Sequence, residues 1–320
     1  MTKIKLDKFV IAIIGIVIIA YFFPFLQHHL PLDLIGSIGI SLIFFFYGLK
    51  LSPEKIKNGL KNWKLHALVQ LSTFLIFPVI IILFKPFIHS ESAETIWLSF
   101  LFLAALPSTV SSSVVMVSIA KGNIPAAIFN ASISGLIGIA ITPLWMGIFL
   151  TNTSSDFDLS NIYLKLVTEI LIPIVLGLIL QRFWNKYVQK YNQQLTLFDK
   201  IIILIIIYKS FAESFEMGVF KSVSMNDLLL ISIASVSLFY FVYFLTGFIS
   251  KKLKFSTEDQ ITAQFCGTKK SLVHGTVFSK VLFPSSFPIG ILILPLMLFH
   301  AFQIFIISII ATRLGKRKAS

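Results

Sequence analysis

Long apolar runs separated by short polar stretches repeat from one end of the chain to the other. Crossing about 30 Å of hydrocarbon takes roughly 17–25 helical residues. Runs of that length predict ten transmembrane helices, at about 8–26, 34–50, 65–87, 96–120, 124–150, 160–182, 199–217, 227–249, 258–282 and 286–311. No connection is long enough for a soluble domain. The longest, LSPEKIKNGLKNWK at 51–64, reads as an amphipathic helix on the membrane surface. The expected fold is an all-α polytopic membrane protein, a single transmembrane domain over 1–320 with a basic tail at 312–320.

Polar residues inside the runs are few and clustered. Five helices before and five after the middle of the chain give two halves of opposite orientation, about 8–150 and 160–311. The fourth run of each half is interrupted. Run four reads LAALPSTVSSSVVMVSIAKGN, with Pro107 ahead of Ser108, Thr109, Ser111, Ser112 and Ser113. Run nine reads QFCGTKKSLVHGTVF, with Gly267, Thr268, Lys269, Lys270 and Ser271 at its centre. Helix breakers beside polar residues, in matching places of two inverted halves, are the pattern of discontinuous helices around a midplane site.

Each cluster has a functional and a plain reading. The run-four hydroxyls either coordinate a cation or polar solute, or let two helices pack closely. Asn130 and Ser134, one turn apart in run five, either complete an oxygen-rich site or bond between helices. A lysine at the bilayer centre costs roughly 2.5–3.5 kcal/mol on insertion scales, so Lys269 and Lys270 need partners. One of them meets an anionic solute or stands where a cation would bind, or each pairs with a buried carboxylate. Adjacent helical positions point about 100° apart, which predicts different tasks for the two.

Lys165 with Glu169 and Lys209 with Glu213 are spaced i,i+4, so each pair is expected to neutralise itself along its helix. Glu169 is alternatively a counter-ion for a run-nine lysine, and Pro173 beside it bends its helix. His300 and Gln303 share a face of run ten, and His274 follows the lysines; all three are as consistent with structure as with proton handling. Tyr47, Gly48 and Gln70 are equally open. The 33 phenylalanines serve as lipid-facing and packing surface.

Charge adds orientation. Lys and Arg total 27 against 14 Asp and Glu, a net charge of +13. The basic residues collect in alternate loops, which the positive-inside rule explains without nucleic acid. Lys3, Lys5 and Lys8, the 50–64 lysines, Lys121, then Arg182, Lys186 and Lys190, then Lys251, Lys252 and Lys254, and the tail all fall on one side. Asp33, Glu91, Glu94, Asp156 and Asp158 fall on the other, with only Lys85 and Lys221. Both termini are expected in the cytoplasm and the chain in the cytoplasmic membrane. The first run has no small-residue cleavage pattern after it and reads as a retained helix, not a signal peptide. A single cysteine, Cys266, excludes an intrachain disulfide. An enzyme is not expected: there is no paired-Asp magnesium site in the runs, no G-x-S-x-G elbow, no H-E-x-x-H helix and no P-loop.

Three stretches together resemble one family: FFFYGLKLSPEKIKNGLKNWKLHALVQ, LPSTVSSSVVMVSIAKGNIPAAIFNASISGLIG and FCGTKKSLVHGT. They are similar to the SBF-like branch of the bile acid:sodium symporter superfamily, nearest its sodium/bile acid cotransporter 7-like group, over essentially the whole chain. The resemblance implies ten helices in two inverted five-helix repeats, a core of runs 3–5 and 8–10 moving against a panel of runs 1, 2, 6 and 7, with runs 4 and 9 crossing at their breaks. It also implies sodium ligands, of which Ser111, Ser113, Asn130 and Ser134 match one set. At the second set Phe265 and Lys269 replace a glutamate and a glutamine, so a fixed lysine charge there would stand in for sodium.

The expectation is a secondary transporter of a small organic anion, sterol-like or carboxylated, working by alternating access through the crevice between panel and core. It needs no cofactor; sodium or a proton is the coupling ion considered, with sodium in doubt. Its partners are a small-molecule substrate and the lipid bilayer, with oligomeric state open. The alternatives are a membrane-embedded regulatory protein without flux, in calcium or envelope homeostasis, and a cation/proton exchanger using Glu169 and His300.

Overall fold

The structure, a computed structural model, describes residues 8–51, 62–109, 111–150, 164, 167–216, 218, 223–283 and 287–317. The basic amino terminus, most of the 51–64 stretch, the loop with Asp156 and Asp158, and Lys165 and Lys221 lie outside the described residues. Every regular element among the described residues is helical. In chain order these are α1 (Lys8–Phe22), α2 (Leu32–Lys50), α3 (Trp63–Leu71), α4 (Phe77–Leu83), α5 (Glu91–Ala105), α6 (Ser111–Ile119) and α7 (Ile124–Leu150). There follow α8 (Ile172–Lys190), α9 (Asn192–Glu216), α10 (Met225–Lys252), α11 (Thr257–Gly267), α12 (Leu272–Leu282) and α13 (Ile289–Gly315). Two π-helical turns, Ser72–Ile76 joining α3 to α4 and Val167–Leu171 leading into α8, complete the main path.

Among the described residues, six helical stretches are long and apolar enough to cross a membrane: Leu32–Lys50, Trp63–Phe87, Ile124–Leu150, Val167–Trp184, Met225–Lys252 and Ile289–Gly315. Ile11–Phe22 and Ala93–Ala105 are shorter apolar helices. The runs read as spans four and nine are each two short helices, α5 with α6 and α11 with α12, so neither is counted as one long helix. Exposed Ile14, Ile179, Phe244 and Phe248 give the molecule an apolar exterior suited to hydrocarbon. This is a polytopic membrane protein.

Helix ends follow local chemistry. Ser224 and Asp227 form a capping box at the start of α10. Ser256 caps α11 by accepting from the Asp259 N–H at 3.1 Å. α6 and α10 both end with a lysine in the left-handed region, Lys121 at φ 53° and Lys254 at φ 56°. In each, the next residue's N–H reaches back five positions, Gly122 to Val117 at 2.8 Å and Phe255 to Ser250 at 3.1 Å. These are Schellman endings with lysine where glycine is usual.

The chain divides into two compact units. One comprises Met1–Ser52, Leu150–Val223 and Thr276–Ile291, holding α1, α2, α8 and α9. Its tightest packing is α2 on α8. A Cβ on Gly177 would lie 2.2 Å from the Phe45 carbonyl oxygen, and one on Gly48 would lie 2.3 Å from that of Ile174. Only glycine lets the two backbones approach this closely. The other unit comprises Pro53–Phe149, Ser224–Gly275 and Leu292–Ser320, holding α3–α7, α10, α11 and most of α13. Both interrupted helices break inside this second unit.

Candidate functional site

α5 stops at Ala105 because Pro107 has no N–H to extend the ladder. Its last carbonyls must find other donors. The Leu103 oxygen accepts from the Leu106 N–H at 3.3 Å, and the Ala105 oxygen from Thr142 Oγ1 at 2.7 Å. The Ser108 N–H turns away to Ser134 Oγ at 2.9 Å. Among the described residues, Ala104 and Leu106 thus keep carbonyls that no backbone N–H of the break fills.

The α11–α12 break meets this one directly. α11 ends at Gly267, and Thr268 Oγ1 donates to the Gln264 oxygen at 2.6 Å. The Ser271 N–H donates to the Pro107 oxygen at 2.9 Å, and Ser108 Oγ donates to the Cys266 oxygen at 2.7 Å. Ser271 Oγ then accepts from the His274 N–H at 3.2 Å, capping α12. Two interruptions, distant in sequence, complete each other's hydrogen bonds.

The two lysines between them are fully buried and face different surroundings. The Lys270 ammonium donates to three peptide oxygens: Thr73 at 2.7 Å, Ala104 at 2.6 Å and Leu106 at 2.9 Å. It also sits 4.3 Å from the centroid of the Phe77 ring. Among the described residues, Lys269 Nζ has one hydrogen-bond partner, Ser112 Oγ at 3.3 Å. That hydroxyl donates to Thr109 Oγ1 at 2.9 Å, which in turn pairs with Ser113 Oγ at 2.9 Å. Lys269 therefore opens onto the hydroxyl cluster at the start of α6.

Gln303 on α13 grips the break. Its Oε1 accepts the Lys270 N–H at 2.9 Å and its Nε2 donates to the Lys270 carbonyl at 2.8 Å. Among the described residues it is a partner of that peptide and not of the lysine charge. His300 Nδ1 lies 2.9 Å from the same Nε2 and supports it. On α7, Asn130 and Ser134 take separate partners: Asn130 pairs with His66 Nδ1 at 2.9 Å and Gln70 at 3.2 Å, while Ser134 serves Ser108. The Ser111 side chain lies outside the described residues.

The remaining charged candidates belong to the first unit. Lys209 does not pair with Glu213 along α9; its ammonium reaches Asp33 Oδ1 at 2.6 Å on α2. Lys280 also converges on Asp33, at 3.6 Å from Oδ1 and 2.8 Å from the Asp33 carbonyl oxygen. Glu169 lies in the π-helical turn leading into α8. The partners of the run-nine lysines are oxygens of peptides and hydroxyls, and no carboxylate contacts them among the described residues.

Thr73, Phe77, Ala104 and Leu106 were not among the expected site residues. Pro78 was the available signal: it has no N–H, so the carbonyls of Thr73 and Phe74 receive no donor from it. Lys270 takes the first, and Trp145 Nε1 takes the second at 2.8 Å.

Residues 7–316 match the model of the SBF-like CPA transporter family. The chain is 36% identical to PA2026 of Pseudomonas aeruginosa over 313 residues, covering 98% of this chain and 94% of that protein. It is 34% identical over 309 residues to YfeH of Escherichia coli K12, whose name includes the word symporter, covering 96% and 92%. Sodium/bile acid cotransporter 7-B of Xenopus laevis is 28% identical over 332 residues, covering 99% and 95%.

Proposed function

The chain belongs to the SBF-like CPA transporter family, and from that premise we propose that it carries a small organic anion across the cytoplasmic membrane. The family is one of transporters, so the protein is not an enzyme. The proposed mechanism is alternating access through ten crossings in two inverted five-helix repeats, with both termini in the cytoplasm. Supporting the repeat is the pairing of two interrupted helices, α5–α6 and α11–α12, at the fourth position of each half. A relative named for bile acid cotransport makes a sterol-like or carboxylated anion the first class to test.

The carrying observation is Lys269. Its ammonium is fully buried, uses one described partner, and stands beside three hydroxyls at the amino-terminal end of α6. A buried cation with donors unspent among the described residues, at a helix N-terminus, favours a carboxylate or sulfonate over a neutral solute. The Lys269 charge would bind the anion, and the hydroxyls would orient it. Sodium is not required in this reading.

Uptake into proteoliposomes tests it, using taurocholate and a set of short carboxylates. Losing a charge-assisted hydrogen bond costs roughly 1.5–3 kcal/mol, so Lys269→Gln should lower uptake on the order of 10- to 100-fold. The variant should remain monodisperse on gel filtration. Wild-type transport rates in the variant would remove Lys269 from the mechanism. No flux of any anion through the wild type would favour the regulatory alternative.

A further inference from the structure

We propose that Lys270 is a resident cation: its ammonium occupies a cage of peptide oxygens that would otherwise hold a free monovalent cation. The inference concerns the fold's need for positive charge and stands whether or not Lys269 binds a transported anion.

The cage is built from carbonyls that lack backbone donors among the described residues. Thr73 lies in the π-helical turn Ser72–Ile76, and Pro78 five residues on has no N–H to offer it. Ala104 and Leu106 close α5, whose continuation is prevented by Pro107 and by the diversion of the Ser108 N–H to Ser134. Three such oxygens from two helices converge on one point, at 2.7, 2.6 and 2.9 Å from Nζ. The carboxyl end of α5 adds its partial negative charge, and the Phe77 ring presents its face at 4.3 Å. Carbonyl rings and half-helix carboxyl ends are how membrane proteins coordinate bare monovalent cations. No carboxylate is needed, and none contacts the ammonium among the described residues.

The stoichiometry identifies the occupant's form. An ammonium has three N–H groups for three oxygens, whereas a neutral amine would turn its lone pair toward one of them. The tether is held as firmly as the charge. Gln303 grips both the N–H and the carbonyl of Lys270, so the side chain leaves a fixed point of the break. An ammonium and a potassium ion are nearly the same size, while lithium is too small to touch all three oxygens at once.

Lys270→Ala empties the cage and leaves its oxygens facing one another. Purified full-length protein in detergent is melted in chlorides of potassium, ammonium, sodium, lithium and N-methylglucamine at one ionic strength. The wild type should melt at the same temperature in all five. Lys270→Ala should melt lower in N-methylglucamine and recover saturably, by on the order of a few degrees, with potassium or ammonium more than with lithium. Lys270→Met, which keeps the apolar stem and fills the space, should show no cation response. Recovery of folded Lys270→Ala only in potassium or ammonium would equally support the inference. Three results would overturn it: identical melting of Lys270→Ala in all chlorides, equal failure to recover it in any of them, or a cation response already present in the wild type. The readout does not involve uptake, so the transport reading can fail without it.

Discussion

Gln303 works as a piece of backbone. Its amide gives the Lys270 peptide the acceptor and the donor that a helix would have supplied. Leaving a buried N–H or carbonyl unpaired costs about 1–3 kcal/mol each. Gln303→Leu orphans both and should lower the melting temperature clearly more than Gln303→Glu, which keeps the acceptor for the N–H. Equal destabilisation by the two would show that the amide's acceptor side contributes little. At the surface the scale is different. The Asp33 side chain is 69% exposed, so its pair with Lys209 is worth at most about 1 kcal/mol. Asp33→Asn should change the melting temperature little. Neither pairing could be read from spacing: Gln303 is 33 positions from Lys270, and Asp33 is 176 from Lys209. The i,i+4 rule sees only neighbours on one helix.

Among elements, interruption and close approach matter more than helix length. The breaks were legible, since Pro107 and Gly267 stand beside dense polar clusters and mark where helical bonding stops. The cage was not, because Pro78 is flanked by apolar residues on both sides, Phe74–Phe77 and Val79–Phe84, and none of them signals that freed carbonyls are used. Pro78→Ala would return an N–H to that helix and set it in competition with Lys270 for the Thr73 oxygen. The α2–α8 contact gives a sharper test. Gly177→Val forces side-chain atoms into the Phe45 carbonyl, and overpacking of this kind typically costs about 1–3 kcal/mol or more. Gly15, with nothing within 4 Å of an added Cβ, supplies the control. Thermal melting of Gly177→Val and Gly15→Ala should differ by several degrees; indistinguishable curves would mean that α2 and α8 part readily.

For the whole molecule, orientation in the membrane can be read chemically. Cys266 is the single cysteine and is fully buried, so an impermeant maleimide has little background to overcome. With both termini in the cytoplasm, a cysteine at Gln27 should label in spheroplasts and one at Asn192 only after lysis. The reverse pattern would invert the proposed topology. The carboxyl end is itself structural: Arg317 donates to the Ala120 and Lys121 carbonyls and to Glu258 at 3.1 Å, joining the end of α13 to the α6–α7 turn and the start of α11. The ammonium among its three carbonyls carries a consequence for energy conversion. An ion that dissociates on each cycle couples a solute to that ion's gradient. An ammonium tethered to the chain cannot leave as a sodium or potassium ion would, so a site it keeps filled draws nothing from a metal-ion gradient. If Lys270 is the resident cation proposed above, the protein at that position exchanges thermodynamic leverage for independence from the metal ions of its surroundings.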